Sequence, residues 1–251
     1  MLLPAPPRST LPPPPPRPVD DRRWGLGDAV LAMVIFFAVS TALAIVAFAA
    51  SGGDEDAILD GPWLPIAVGV PPLVQLAYVW WVGDRKGRGW VADFGFSFRW
   101  KDLGVGAISF LVGFVAAGVI GALVFTLLDE EPTAAVAEMA EDSSGDGGLT
   151  VWLVLLAVLG ATLVPVVEEL VFRGLWWSAL EKRGLGPWWC LVITSGLFAL
   201  VHLEPIRTPV LFVLGMAIGY GRIYTGRIGA SIVGHAMINS IAMTFLLVEL
   251  A

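Results

Sequence analysis

Five long runs without Asp, Glu, Lys or Arg limit what this chain can fold into. A membrane-spanning helix needs about 20 consecutive, mainly apolar residues. Runs of that length lie at residues 29–53, 61–83, 103–128, 147–167 and 228–248. Only 15% of the residues are charged, whereas an ordinary soluble domain has about 25%. We therefore expect an all-α fold, a polytopic bundle of membrane helices.

Two shorter apolar runs raise the expected number of transmembrane helices to about seven. Residues 184–203 contain only His202 and Cys190 as ionisable groups, and they are just long enough to span. Residues 208–221 are short for a span, and such a run also fits a re-entrant or bundle-buried segment. The sequence leaves open whether residues 208–221 cross the membrane fully.

The distribution of basic residues predicts a cytoplasmic N-terminus. Lys and Arg favour the cytoplasmic side of a membrane, and here they cluster before the first run and after the second. By contrast, residues 51–61 and 129–149 hold eleven acidic residues and no Lys or Arg. We expect these two loops to face outward. The net charge of -7 comes mostly from them, so it does not indicate a nucleic-acid partner.

Composition divides the chain into three predicted parts. Residues 1–25 begin with Met1–Pro18, which holds nine of the eighteen prolines, and we expect a disordered cytoplasmic tail there. Residues 26–128 carry no charged side chain inside their spans and are expected to form a three-helix membrane scaffold. Residues 149–249 place Glu, Arg and His at membrane depth, so we expect the chemistry in this part.

Two adjacent glutamates lie where a carboxylate is unfavourable. An acidic residue at the centre of a membrane helix costs about 2.5–3.5 kcal/mol, and Glu168 and Glu169 directly follow an apolar run. Arg173 follows Glu169 by four residues, the spacing at which opposite charges pair on one helix face. Glu168 points elsewhere and is left as a candidate general base. The alternative is that all three residues form one buried ionic cluster that only holds the helices together.

Pro165 indicates an opening in the helix next to these glutamates. Proline has no backbone N–H, so the carbonyl of Ala161 loses its helical partner. A membrane protein tolerates such a break where other protein groups repair it or where it lines a wet cavity. We therefore expect water to reach the neighbourhood of Glu168.

Two further pairs of residues four apart supply polar groups from other helices. Phe198 and His202 share one helix face, and His235 and Asn239 share another. A lone histidine or asparagine in a membrane more often forms an interhelical hydrogen bond. Together with Glu168, these side chains could hold a water molecule, deprotonate it and stabilise the oxyanion of an attacked amide.

The three motifs resemble those of the CPBP intramembrane proteases, which include type II CAAX prenyl endopeptidases and bacteriocin self-immunity proteins. The family pattern Glu-Glu-x-x-x-Arg corresponds to residues 168–173, Phe-x-x-x-His to residues 198–202, and His-x-x-x-Asn to residues 235–239. The resemblance covers about residues 150–240.

The resemblance implies a role for each polar residue. Glu168 would activate a water molecule with help from His202, while His235 and Asn239 would stabilise the oxyanion. The remaining motif residues, Glu169, Arg173 and Phe198, would support the site structurally.

A zinc ion is an alternative that the family's frequent description as metalloproteases raises. Its ligands would be Glu168, His202 and His235, with a fourth position open. The chain has no His-Glu-x-x-His pair, which favours a reaction without a tightly bound metal.

The resulting hypothesis is an intramembrane endopeptidase of a prokaryotic plasma membrane that acts on a membrane-associated peptide or protein. The resemblance implies a CAAX-like substrate for one branch of the family only, so the sequence leaves the substrate open. A non-catalytic immunity or partner-binding protein of the same fold is the first rival. A proton-coupled carrier is the second, because intramembrane Glu and His also build proton relays. The sequence predicts neither the oligomeric state nor the cleavage sequence.

One geometric difficulty follows from counting residues. At about 1.5 Å per residue, Glu168 lies about 22 Å from Arg183, but His235 lies only about 12 Å from Arg227. Straight helices ending at one membrane surface would not bring the two side chains together. Either the helix of Glu168 extends past Trp176 and Trp177 into the cytosol, or the turn at 225–229 dips into the bilayer.

Overall fold

The structure, a computed structural model, describes residues 22–54, 61–129 and 149–249. The predicted tail at residues 1–25 lies outside the described residues, except for its last four. Most of the two predicted outward loops also lies outside them.

The described residues form eight helices and no β-strand, which confirms the predicted all-α fold. A five-residue helix in the basic connection was not predicted, because it is too short to show helical periodicity. In chain order the helices are α1 (Leu26–Ala50), α2 (Trp63–Lys86), α3 (Trp90–Phe94), α4 (Lys101–Leu128), α5 (Val151–Lys182), α6 (Pro187–Val201), α7 (Thr208–Thr225) and α8 (Gly229–Glu249).

Five of these helices are long and apolar enough to cross a membrane, namely α1, α2, α4, α5 and α8. The chain is therefore a multi-pass membrane protein. Helix α6 has only 15 residues, and α7, which contains the short run 208–221, is not among the five. The predicted number of seven spans is not confirmed.

Helix α5 lies between α2 and α8, and small residues allow the close approach. A Cβ atom on Gly69 of α2 would lie 3.1 Å from the Leu159 side chain on α5. On the other side, a Cβ atom on Gly160 of α5 would lie 3.1 Å from Met243 on α8. Helix α1 packs on α2, while α4 packs on α7 and α8. The division into a scaffold at 26–128 and a core at 149–249 stays a prediction.

The basic segments that the sequence predicts to be cytoplasmic meet at one end of the bundle. Arg23, before α1, donates a hydrogen bond to the carbonyl of Arg85 at the end of α2. Lys182, at the end of α5, donates to the carbonyl of Trp24. Arg222, in the last turn of α7, donates to the carbonyl of Phe94 in α3. The ends of four helices are thus tied together around α3.

The relative depth of α5 and α8 resolves the geometric difficulty raised by the sequence. The N–H of Ile228, just before α8, donates to the carbonyl of Gly95, one residue after α3. The adjacent Phe94 packs on Gly174 in the middle of α5. Helix α8 therefore begins level with Gly174, and α5 continues beyond that level to Lys182. This agrees with the first of the two alternatives, a helix that extends past Trp176 and Trp177.

The contact between α3 and α5 requires a residue without a side chain at position 174. A Cβ atom there would lie 3.1 Å from Cβ of Phe94 and 3.3 Å from Cδ1 of Leu170. We predict that Gly174→Val lowers the free energy of unfolding in detergent by about 1–3 kcal/mol, because the overpacked side chain must displace α3. The matched control is Gly118→Val on α4, where a Cβ atom would meet nothing within 4 Å. Equal losses in both variants would contradict this explanation.

Candidate active site

The two glutamates lie at the end of the regular part of α5 and have different surroundings. Glu169 is fully buried, whereas 25% of the Glu168 side chain is exposed. Directly after them, residues Leu170–Trp176 form a π-helical segment. Such wider turns hold one extra residue and occur frequently at functional sites. The sequence does not predict this segment, because a π-turn has no characteristic residue pattern.

Arg173 neutralises Glu169 inside the protein. Its Nη1 atom donates to Oε1 of Glu169 over 3.0 Å, and neither side chain is exposed. The ion pair that the four-residue spacing predicts is therefore present. The Nη2 atom of Arg173 also donates to the carbonyl of Gly215 on α7 over 2.6 Å. Sequence reasoning missed this second partner, because a backbone carbonyl of another helix leaves no signal in the residue pattern.

His235 of α8 contacts both glutamates and is buried. Its Nδ1 atom lies 2.9 Å from Oε1 of Glu169. Because a carboxylate can only accept a hydrogen bond, Nδ1 is the donor, and Nε2 then faces the other way. That second nitrogen lies 3.6 Å from Oε2 of Glu168, which is an ion-pair distance when the imidazole is protonated. Glu169 thus orients the imidazole towards Glu168.

Phe198 of α6 packs against both histidines. Its ring centroid lies 4.7 Å from that of His202 and 5.5 Å from that of His235, both in edge-to-face arrangements. The Arg173 guanidinium lies 5.1 Å from the same ring centroid. The predicted contact between Phe198 and His202 is therefore present, within a larger cluster.

His202 does not lie next to Glu168, as the resemblance had implied. Its Nδ1 atom lies 2.6 Å from the carbonyl oxygen of Phe198 in its own helix. Within the described ranges, no nitrogen of His202 comes within 4.0 Å of a carboxylate oxygen of Glu168 or Glu169. The nearest histidine to Glu168 is instead His235. Helix α6 ends at Val201, so His202 caps the helix.

Asn239 links α8 to the part of α5 that precedes Pro165. Its Nδ2 atom donates to the carbonyl of Gly160 over 2.9 Å. This carbonyl is adjacent to that of Ala161, which Pro165 leaves without a helical partner. A side chain from α8 therefore reaches the helix beside the opening that the proline creates.

Glu168 and Asn239 line the same interhelical cavity, which has a volume of about 290 Å³. They are the two residues with polar side chains among its described lining residues. Apolar residues of α1, α2, α5 and α8 form the other walls, including Phe36, Pro72 and Met243. The exposed part of Glu168 therefore faces an apolar chamber, as expected of a site for a membrane-associated ligand.

The described residues contain no group of three or more His, Cys, Asp or Glu side chains arranged to hold a metal ion. In particular, His202 lies apart from Glu168, while Nδ1 of His235 already bonds Glu169. As arranged, the predicted zinc ligands Glu168, His202 and His235 do not fit a shared metal, which needs nitrogen and oxygen atoms about 2.0–2.2 Å away.

Comparison with protein families gives one match, over the part of the chain that holds this site. The family model described as "Type II CAAX prenyl endopeptidase Rce1-like" matches residues 150–241. Residues 150–241 therefore resemble this family. Rce1-like proteins form a protease family, so this region is similar to hydrolases that cleave peptide bonds. No curated protein and no solved structure matches the chain significantly.

The region that matches the Rce1-like family model contains every residue of the predicted site. It begins just before α5 and ends within α8, so that α1, α2 and α4 lie outside it. The residues concerned are Glu168, Glu169, Arg173, Phe198, His202, His235 and Asn239. Their assignment to individual catalytic roles stays a prediction.

Removal of Arg173 should test how strongly the site depends on its buried ion pair. We predict that Arg173→Met lowers the free energy of unfolding by about 3–5 kcal/mol, because Glu169 would remain buried without its cation. Arg207→Met is the matched control. Arg207 pairs with Glu204, but both side chains are partly exposed, so its loss should cost at most about 1 kcal/mol. Denaturant unfolding in mixed micelles would measure both values, and a similar cost in both variants would contradict the prediction.

Proposed function

We propose that the chain is an intramembrane endopeptidase in which Glu168 activates a water molecule to hydrolyse a peptide bond. The observation that carries this proposal is a polar series of three residues, Glu169, His235 and Glu168, that ends at the cavity. Glu169 orients His235, whose Nε2 atom faces Glu168, and the partly exposed Glu168 lines an apolar chamber inside a membrane-spanning bundle. The family match supports the same conclusion.

The proposed reaction begins with a water molecule hydrogen-bonded to Glu168. The Glu168 carboxylate takes a proton from this water molecule, and the water oxygen forms a bond to the carbonyl carbon of the peptide. The carbonyl oxygen becomes an oxyanion, and the Asn239 amide, which has a second N–H beyond the one bonded to Gly160, can donate to it. When the C–N bond breaks, Glu168 returns the proton to the leaving nitrogen. The products are a carboxylic acid and an amine.

The histidines have supporting roles in this scheme. His235, held by Glu169, can place a protonated Nε2 beside Glu168 and the developing charge. His202 shares the Phe198 ring with His235. To assist the water as the family resemblance implies, the His202 imidazole would have to move from that ring towards Glu168. No step of the scheme requires a metal ion.

The apolar chamber and the family description together favour a lipid-modified or membrane-embedded substrate. We propose a membrane-associated peptide or protein with a CAAX-like terminus as the substrate class. We also propose that the protein lies in the plasma membrane of a prokaryote with its N-terminus in the cytoplasm. The clustering of basic residues at one end of the bundle supports this orientation.

A non-catalytic membrane protein is the second candidate, because most of the charged groups at the site are already paired. Glu169, Arg173 and His235 form a buried lock between α5 and α8. A partner-binding protein would need such a lock as much as an enzyme would. Glu168, at the cavity, is outside this buried lock. Its substitution therefore distinguishes an enzyme, which should lose activity, from a non-catalytic protein, which should be unaffected.

We predict that Glu168→Gln lowers cleavage of a quenched membrane-peptide library at least about 100-fold, because the amide cannot accept the proton from water. The unfolding midpoint should stay close to that of the wild type, since the amide is isosteric. Glu204→Gln, at an acidic residue that pairs with Arg207 and does not line the cavity, is the control and should cleave normally. Cleavage by Glu168→Gln at the wild-type rate would exclude the proposed base.

The same assay tests metal dependence. Without a tightly bound metal, a chelator should leave wild-type cleavage unchanged. Loss of activity that added zinc restores would instead indicate a zinc site. An absence of cleavage by folded wild-type protein across a broad library would favour the non-catalytic candidate.

Labelling of single cysteines should establish the orientation. In a Cys190→Ala background, we predict that Trp100→Cys reacts with a membrane-impermeant maleimide only from the cytoplasmic side and Leu203→Cys only from the outer side. The two positions are a matched pair, because Trp100 is 76% exposed and Leu203 is 74% exposed. The reverse pattern in right-side-out vesicles would overturn the proposed topology.

A further inference from the structure

The guanidinium of Arg173 is fixed by three different helices. It bonds Glu169 in its own helix and the carbonyl of Gly215 in α7, and it lies against the Phe198 ring of α6. The side chain has no exposure to solvent. Because a guanidinium is rigid and planar, contacts in several directions determine both its position and its tilt.

Two glycines of α7, one turn apart, form the surface on which this guanidinium rests. A Cβ atom on Gly215 would lie 3.1 Å from Cβ of Ser195, 3.2 Å from Nη2 of Arg173 and 3.3 Å from Cδ1 of Phe198. A Cβ atom on Gly219 would lie 3.1 Å from Nε of Arg173 and 2.6 Å from Cδ1 of Leu191. We call this pair the glycine seat. Its lack of side chains lets the α7 backbone approach closely enough for the Gly215 carbonyl to accept a hydrogen bond.

The glycine seat is distinct from the surface through which α7 packs on α4. That contact uses neighbouring residues of α7, since a Cβ atom on Gly113 of α4 would meet Ala217 at 3.0 Å and Leu214 at 3.6 Å. The spacing of Gly215 and Gly219 is typical of close helix packing. In this protein, however, the group that approaches both glycines is a buried charge.

We propose that Gly215 and Gly219 are positioning residues that set the orientation of His235 relative to Glu168. The connection runs through atoms in direct contact. Oε1 of Glu169 accepts from both Nη1 of Arg173 and Nδ1 of His235, so a shift of the guanidinium moves the acceptor that orients the imidazole. The inference rests on the proposed function for its effect on catalysis, but its effect on His235 is independent of any activity.

The first test observes His235 directly. The chain has two histidines, so 15N-histidine labelling gives few signals, and the spectrum of His202→Gln assigns them. We expect Gly215→Ala to change the Nδ1 and Nε2 chemical shifts of His235. Gly196→Ala on α6 is the matched control, because a Cβ atom there meets nothing within 4 Å. Wild-type His235 chemical shifts in a folded Gly215→Ala protein would overturn the proposal, even if its stability fell.

The second test separates positioning from simple packing by kinetics. We expect Gly215→Ala to lower kcat roughly 10-fold with little change in KM, because its neighbours must move by a few tenths of an ångström and a misplacement by about 1 Å costs about 100-fold. Arg173→Lys removes the Nη2 atom that the new Cβ atom would approach, while Ser195 and Phe198 stay in place. In that background, Gly215→Ala should therefore cost less, because the part of the loss that comes from the guanidinium is absent. Equal losses in the two backgrounds would show that the clash does not involve Arg173 and would overturn the glycine seat.

Three further outcomes bear on the proposal. If Gly215→Ala does not fold, Arg173→Lys is the test variant, because it keeps the charge but changes the contact with the glycine seat. A wild-type His235 signal in Arg173→Lys would then overturn the proposal. If the wild-type protein cleaves no peptide while the His235 signals shift as expected, the proposed function fails and the seat stands. Normal cleavage by Gly215→Ala, with unshifted signals, removes the seat and leaves the proposed function intact.

Discussion

The buried ion pair of Glu169 and Arg173 is the interaction on which the arrangement of the helices depends. Placing two charges in an apolar interior is unfavourable unless the remaining hydrogen-bonding groups also find partners. Here Oε1 of Glu169 also accepts from His235 of α8, and Nη2 of Arg173 also donates to Gly215 of α7, while Oε2 of Glu169 and Nε of Arg173 are buried without a hydrogen-bond partner among the described residues. Satisfying one pair therefore requires three helices at defined depths and rotations. The orientation of the imidazole follows from the same requirement.

Sequence analysis could predict the contacts that lie within one helix but not those between helices. The pairing of Glu169 with Arg173 and the contact of Phe198 with His202 both follow from a spacing of four residues. The hypothesis of a shared site placed His235 near Glu168, but residue spacing alone could not predict this proximity, because it depends on how far α8 is shifted along α5. Counting residues even indicated that the two would not meet. The missing information was the position of α3, which sets where α8 begins.

Other parts of the prediction show a similar division. Runs without charge predicted the long apolar helices, because exclusion of charge from lipid is a strong constraint. The sequence does not decide whether the shorter helices α6 and α7 cross the membrane, since a helix surrounded by other protein can be shorter than the roughly 20 residues of a lipid-exposed span. The implied role of His202 beside Glu168 came from family resemblance alone, and the structure places His235 there instead. Chain composition contains no information on which of the two histidines lies nearer to Glu168.

The π-helical segment at Leu170–Trp176 gives α5 two independent faces. A single extra residue rotates everything that follows by roughly a quarter of a turn relative to a continuous α-helix. The part before it, which carries the glutamates, can therefore match α2 and α8, while the part after it matches α1, α3 and α6. A change on one part need not disturb the register of the other. The reactive half and the anchoring half of one helix thus meet separate sets of neighbours.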